Sequence, residues 1–255
     1  MKLNSIVHGT PTQKNPLVVV HGLFGSARNW GAIGKRLSNE RQVIAIDLRN
    51  HGESPWSEGH SYEELADDLR QFITTYWSKV DLLGHSMGGK AAMMFALNHA
   101  SHLHRLIVAD IAPVRYEHDQ NQFIAAMRSL DLTTIKKRSE AARQFDDQGI
   151  DPSLQGFFSQ SLNIVEKSWR LNLDVLEKNM ASIMAFPKTT QHWGGPALFL
   201  SGAKSDYVQS QHRAEIKRLF PQARFAKLPN AGHWLHTDDP RGFEATVRIF
   251  LNSQE

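Results

Sequence analysis

The sequence predicts an α/β protein with a mostly parallel central sheet flanked by helices and with an inserted helical cap. Three observations support this fold class. Short runs of β-branched and aliphatic residues alternate with helical patterns through the first half of the chain. These runs lack the apolar–polar alternation of half-exposed strands, so we expect strands that are buried on both faces. Helical charge patterns then predominate from residue 114 to residue 193, and strand-like runs resume afterwards.

The predicted elements follow in order along the chain. We expect strands at residues 17–20, 43–46, 80–83, 106–109, 197–200 and 224–228. We expect helices at residues 30–37, 62–77, 87–97, 135–145, 164–180, 209–219 and 243–251. Parallel strands require crossover connections, which the alternating helices provide. A core domain of residues 1–113 and 194–255, with a cap insertion of residues 114–193, is therefore expected.

The composition is that of a globular protein and argues against several classes of function. The chain has 255 residues, of which 41% are hydrophobic and 22% charged, and this suits one α/β domain with a large core. Its 29 basic and 26 acidic residues are spread along the chain without a basic stripe, so nucleic acid is not an expected partner. Cysteine is absent, which excludes disulfides and cysteine-ligated zinc.

The cellular location is predicted from the lack of a signal-peptide pattern and of a membrane-spanning segment in the sequence. Residues 1–10 have few apolar residues and no cleavage-site pattern. No segment approaches the roughly 18 apolar residues of a membrane span. We therefore expect a cytoplasmic protein without a membrane span, present as a monomer or a weak homodimer.

A nucleophilic serine is indicated by Gly84-His85-Ser86-Met87-Gly88, which follows a predicted strand and opens a predicted helix. A serine on such a tight turn needs small residues two positions away on either side, and Gly84 and Gly88 meet this need. The turn also places Ser86 at a helix N-terminus, where free N–H groups and the helix dipole favour negative charge. The pattern is typical of a nucleophile elbow for acyl transfer.

A serine hydroxyl needs a base, and His233 is the best candidate among the 13 histidines. His233 lies after the last predicted strand and before the last predicted helix, which is the place of the base in the chain order of such enzymes. Gly232 gives the loop freedom to turn the imidazole towards Ser86.

Two aspartates compete to orient that histidine. Asp110 ends the strand predicted at residues 106–109, and Asp206 lies in the loop after the strand predicted at residues 197–200. Catalytic groups of parallel sheets gather at the carboxyl ends of strands, so both positions suit the role. Asp206 stands one position later than the acid of many such hydrolases, at which place this chain has Ser205. We favour Asp110 and keep Asp206 as the alternative.

The loop after the first predicted strand is expected to stabilise the oxyanion. Backbone N–H groups of Leu23 and Met87 are the predicted donors, with Phe24 as the alternative to Leu23. The side chain of Phe24 then remains free to line a substrate pocket. Trp169, Arg170 and Trp234 are further candidates for substrate binding, because they could close over the site.

No metal or cofactor is expected. His99, His102 and His104 lie where a predicted helix ends, a place that histidines favour because of the helix dipole. No carboxylates accompany them at ligand spacing. The polar segment 47–54 follows a buried strand, and we interpret it as a turn with its own hydrogen-bond network rather than as a catalytic motif.

Over essentially its whole length the chain resembles the α/β-hydrolases, through its motifs at residues 21–26, 47–54, 84–90 and 232–234. It also resembles the bacterial YbfF-type esterases at residues 20–26, 49–52, 84–90, 110–113 and 205–208. This resemblance implies a helical cap over the site and an acid at Asp110. It implies hydrolysis of small-molecule esters with short acyl groups, with acyl-CoA thioesters as a second candidate substrate.

The predicted function is thus that of a serine esterase that acts through an acyl-enzyme. Two other functions are compatible with the fold. A carbon–carbon lyase of the kind found in menaquinone synthesis uses the same triad to abstract a proton and need not acylate its serine. A non-catalytic ligand receptor would have no need of serine, histidine and aspartate together.

Overall fold

The computed structural model describes residues 1–253. Its strands are β1 (Ser5–His8), β2 (Leu17–Val20), β3 (Val43–Ile46), β4 (Val80–His85), β5 (Leu103–Ala109), β6 (Leu162–Asn163), β7 (Ser168–Trp169), β8 (Ala197–Gly202) and β9 (Ala223–Leu228). Seven of these strands form one sheet in the order β1-β3-β2-β4-β5-β8-β9. Only β1 runs antiparallel to its neighbour within this sheet, and the other pairs are parallel. The predicted fold class is confirmed.

The helices of the described chain are α1 (Gly31–Leu37), α2 (Tyr62–Tyr76), α3 (Met87–Asn98), α4 (Asn121–Arg128), α5 (Arg138–Asp146), α6 (Pro152–Ser159), α7 (Leu173–Lys178), α8 (Met180–Met184), α9 (Arg213–Leu219), α10 (Leu235–Asp238) and α11 (Pro240–Asn252). Single turns of 3₁₀ helix occur at Ala27–Trp30, Ala100–His102 and Ser210–His212. Helices α4 to α8 and the β6–β7 hairpin lie between β5 and β8 in the chain. None of the helices within residues 1–253 is long and apolar enough to cross a bilayer.

The central strands are apolar throughout because helices cover both faces of the sheet. Val18 and Val20 of β2 pack into a core cluster that also contains residues of α2 and α3. Leu17 and Val19 point to the opposite face and pack with residues of α1 and α11. Side chains of a strand alternate between faces, so two buried faces require apolar residues at every position. This arrangement accounts for the continuous apolar runs in the sequence.

Strand β1 is missing from the sequence prediction. Its side chains are only partly buried, and Val7 is exposed. A partly exposed edge strand lacks the continuous apolar run that marks the central strands. It adds the antiparallel pair Ser5–Ile46 to the edge of an otherwise parallel sheet.

The single helix predicted at residues 164–180 is wrong. The β6–β7 hairpin occupies its first part, and Lys167 turns the chain in the left-handed region with φ of 53°. Helix α7 begins only at Leu173, where the Asn172 side chain accepts a hydrogen bond from the Val175 N–H group at 3.4 Å. The charge pattern of this segment is compatible with a helix, but the left-handed turn interrupts it.

Candidate active site

Ser86 lies on a strained turn between β4 and α3. Its φ of 52° and ψ of −122° are costly for a residue with a side chain. A Cβ atom at Gly84 would lie 2.2 Å from the carbonyl oxygen of Gly88, and one at Gly88 would lie 2.3 Å from the carbonyl oxygen of His21. The turn therefore closes only with glycine at both positions, as its sequence predicts.

His233 and Asp110 are brought together from distant parts of the chain. His233 Nδ1–H donates a hydrogen bond of 2.8 Å to Asp110 Oδ2, which leaves Nε2 as the acceptor nitrogen. The Asp110 carboxyl is fully buried and also accepts bonds from the Gly202 N–H group, at 3.0 Å, and from the Ser205 hydroxyl. These contacts fix the carboxylate at the carboxyl end of β5 and hold the imidazole in one tautomer.

Asp206 lies outside this arrangement. Its side chain is exposed and forms no hydrogen bond or ion pair within residues 1–253, although its carbonyl oxygen accepts a bond from Gln209. Ser205, at the position of the acid in many such hydrolases, instead donates its hydroxyl to Asp110. The structure thus places Asp110, and not Asp206, against His233.

Two residues that the sequence analysis did not select, Tyr207 and His85, contact His233. Tyr207 stacks on it with ring centroids 4.1 Å apart. His85 Nε2–H donates to the His233 carbonyl oxygen at 2.8 Å. Burial lowers the pKa of His85 well below its ordinary value, so this ring stays neutral. The position of His85 directly before Ser86 was the available signal, since it places the ring beside the nucleophile.

The two backbone N–H groups predicted to bind the oxyanion have no hydrogen-bond acceptor within the described chain. Neither the Leu23 N–H nor the Met87 N–H donates a hydrogen bond to another group in residues 1–253. The N–H of Phe24 is engaged, because it donates to His51 Nε2 at 3.3 Å. His51 in turn donates Nδ1–H to the Arg49 carbonyl oxygen at 3.0 Å, which keeps Nε2 as an acceptor. This geometry favours Leu23 over Phe24 as a donor.

The segment 47–54 supports the loop that carries Leu23. The Asp47 carboxylate accepts bonds from the N–H groups of Ala27, at 2.6 Å, and Glu53, at 2.9 Å. The hydroxyl of Ser54 donates to the Asp47 carbonyl oxygen at 2.6 Å. Together with the His51 contact, these bonds tie the turn after β3 to the loop after β2.

A mostly apolar cavity of about 290 Å³ opens beside Ser86 and His233. Of the residues predicted to bind substrate, Phe24 and Trp234 line it. Trp169 and Arg170 do not line it, because their side chains are held by other partners. The Trp169 indole donates to the Met127 carbonyl oxygen at 3.1 Å, and Arg170 Nε lies 2.7 Å from a Glu53 carboxylate oxygen.

Five buried histidines around the site have lowered pKa values, chiefly because burial disfavours the charged ring. The pKa falls to about 3 for His60 and to about 4 for His236, and it is lowered for His21, His51 and His85. The unfolded chain therefore binds protons below pH 6.5 that the folded chain does not bind. Stability is then lost as the pH falls from 6.5 towards the folded-state pKa values.

We expect the free energy of unfolding to drop by several kcal/mol between pH 7.5 and pH 5.5, since each such histidine contributes up to about 1.4 kcal/mol. Urea unfolding at the two pH values measures this drop. His236→Phe should remove about one histidine's share of the pH dependence, whereas His192→Gln, at an exposed position, should leave it unchanged. Equal stability at both pH values would contradict the prediction.

Comparison with known proteins identifies the family to which the chain belongs. A family model described as the alpha/beta hydrolase family matches residues 17–246, which include Ser86, Asp110 and His233. The chain belongs to the α/β-hydrolase family. A solved structure described as a marine microorganism esterase has a TM-score of 0.92 and 37% identity, covering 98% of this chain and 99% of that one.

Two curated relatives of this α/β-hydrolase also cover nearly the whole chain. The sn-1-specific diacylglycerol lipase ABHD11 of Mus musculus is 41% identical over 92% of this chain and 80% of its own length. Esterase YbfF of Escherichia coli K12 is 35% identical over 99% of this chain and 100% of its own length. These relatives confirm the predicted resemblance and the prediction of a carboxylic ester hydrolase of the α/β-hydrolase type.

Proposed function

We propose that this α/β-hydrolase is a serine esterase that hydrolyses short-chain carboxylic esters through an acyl-enzyme on Ser86. One observation carries the proposal. The 2.8 Å hydrogen bond between His233 and Asp110 lies beside a serine on a strained strand-to-helix turn, and Ser86 and His233 both line one apolar cavity. A base that is oriented by a buried carboxylate and lines the same cavity as a serine is the arrangement that activates that serine.

In this mechanism Ser86 Oγ attacks the ester carbonyl while His233 Nε2 takes the hydroxyl proton. Asp110 holds Nδ1–H and stabilises the imidazolium. The N–H groups of Leu23 and Met87 bind the oxyanion of the tetrahedral intermediate. His233 then gives its proton to the departing alcohol, and the acyl group stays on Ser86. Water, deprotonated by His233, hydrolyses this second ester and restores the free serine.

The cavity suits an acyl group of limited length. Its volume of about 290 Å³ is at the lower end of ligand pockets, and its walls are chiefly aromatic and aliphatic. Phe24 and Trp234 come from the core, and Phe123, Leu154 and Phe157 come from the segment between β5 and β8. We propose that residues 114–193 act as a helical cap over a core of residues 1–113 and 194–255, and that the cap limits the acyl length.

Relative rates on p-nitrophenyl esters from acetyl to palmitoyl test this substrate class. We expect kcat/KM to peak among the short chains and to fall steeply beyond the length that the cavity holds. A matched series of acyl-CoA substrates tests thioesters. Measurable hydrolysis of these substrates, with the same preference for acyl length, would extend the proposal to thioesters. A maximum at palmitoyl would contradict the short-chain proposal, and folded protein that hydrolyses none of these esters would contradict the esterase.

A further inference from the structure

Lys90 is a buried cation that the proposed mechanism does not use. It lies on α3, one helical turn after the nucleophile, and its backbone N–H donates to the Ser86 carbonyl oxygen at 3.1 Å. Its side chain is 1% exposed and lies against the cavity. In the described chain no carboxylate forms an ion pair with it. Such an ammonium is costly to bury and needs a compensating set of contacts.

Those contacts come from the C-terminal end of α8, in the proposed cap. Lys90 Nζ donates to the carbonyl oxygens of Ile183, Met184 and Ala185 at 3.5, 3.0 and 2.7 Å. The last carbonyls of a helix have no partners within the helix and carry the negative end of its dipole. A cation is therefore the favoured partner at this end. Lys90 caps α8 from a different helix.

Two tyrosines complete the surroundings of the ammonium. Nζ lies 4.8 Å from the ring centroid of Tyr116 and 5.9 Å from that of Tyr62, within the range of cation–π attraction. The hydroxyl of Tyr62 donates to the Ile183 carbonyl oxygen at 2.6 Å. The same helix end is thus held by two donors from the core, one charged and one neutral.

We propose that Lys90 is a positioning residue that sets acyl-chain specificity by fixing the C-terminal end of α8 as the inner wall of the cavity. The side chains of Ile183 and Met184 line the cavity, and their carbonyl groups are the ones that Lys90 holds. Lys90 lies one turn after Ser86, which precedes the first residue of α3. The contacts of Lys90 with α8, which we call the clamp, therefore tie this wall to the nucleophile. The proposal rests on the esterase function proposed above.

Lys90→Met tests the clamp, since methionine is unbranched and apolar and removes both the charge and the donors. At pH 6, where Lys90 carries its charge, we expect the octanoyl-to-acetyl ratio of kcat/KM to rise at least tenfold, because the wall is released. Lys178→Met, at an exposed lysine of α7, should leave the ratio unchanged. An unchanged ratio in Lys90→Met, or an equal fall for all chain lengths, would overturn the proposal.

The same series includes an ester whose acyl chain ends in a carboxylate, such as a monosuccinyl ester. Its rate in Lys90→Met should change no more than that of the butanoyl ester. A selective loss of the carboxylate-bearing ester would overturn the clamp, because it would make Lys90 a ligand for an anionic substrate.

A measurement on wild type keeps the proposal testable if Lys90→Met does not fold. Burial lowers the pKa of Lys90 to about 7, with a further decrease from Arg115. The pKa values of Tyr62 and Tyr116 are raised by burial, so both rings stay neutral to pH 9. We expect the octanoyl-to-acetyl ratio of kcat/KM to rise at least threefold between pH 6 and pH 9. Any free-enzyme ionisation that scales the rates of both esters equally cancels in this ratio, and a flat ratio would contradict the clamp.

Hydrogen exchange separates failure of the clamp from failure of the esterase. Amides of residues 183–186 should exchange at least tenfold faster in Lys90→Met than in Lys178→Met, whatever the enzyme hydrolyses. If wild type hydrolyses no ester but this difference appears, the esterase fails and the contact stands. If the esters are hydrolysed and exchange is equal, the clamp fails alone.

Discussion

Ser86→Ala is expected to lower kcat/KM for the acetyl ester by about a millionfold, because alanine cannot form the acyl-enzyme. The loss should fall on kcat, since the apolar cavity that binds the acyl group is unchanged. Initial rates over a range of p-nitrophenyl acetate concentrations measure kcat and KM. The enzyme concentration must be high enough to detect slow hydrolysis.

Ser78→Ala, at an exposed serine in the turn before β4, is the matched control and should retain full activity. Neither substitution removes a buried apolar contact. The free energy of unfolding of both variants, measured in urea, should therefore stay within about 0.5 kcal/mol of wild type. Hydrolysis by Ser86→Ala at more than a hundredth of the wild-type rate would exclude Ser86 as the nucleophile.

Asp110→Asn is expected to lower kcat about 10⁴-fold with the fold intact. The new amide would donate a hydrogen bond to His233 Nδ1, so the ring proton would move to Nε2, the nitrogen that must accept the proton of Ser86. The 2.8 Å contact between Asp110 and His233 is the reason for this expectation. Steady-state kinetics on the same ester measures the effect.

Asp206→Asn is the matched comparison and should stay within twofold of wild type, because its exposed carboxylate makes no contact with His233 in the described chain. Circular dichroism and urea unfolding check that both variants are folded. A larger loss in Asp206→Asn than in Asp110→Asn would reverse the assignment of the acid.

The parts of the fold that sequence could predict are those governed by local rules. Continuous apolar runs marked the central strands because both faces of the sheet are covered. The nucleophile elbow could be predicted because its strained serine requires glycine at positions 84 and 88. Neighbouring backbone atoms lie too close to both glycines to admit a side chain. Asp110 and His233 were selected by chain order and strand ends, and the structure brings these two side chains together.

The parts that sequence could not predict depend on contacts between distant loops. Tyr207 stacks on His233 only because the loops after β8 and β9 meet. The partners of Lys90 are backbone carbonyls, which no side-chain pattern records. Trp169 was a reasonable pocket residue by type, but its indole is held by Met127 in the helical segment. Such positions follow from tertiary packing rather than from local propensity.

The most direct test of the account is covalent labelling with a fluorophosphonate, followed by intact-protein mass measurement and peptide mapping. We expect one phosphonate per chain, located on Ser86, with esterase activity lost in proportion to labelling and no adduct in Ser86→Ala. An adduct on another residue, or folded protein that hydrolyses esters while Ser86 stays unlabelled, would contradict it.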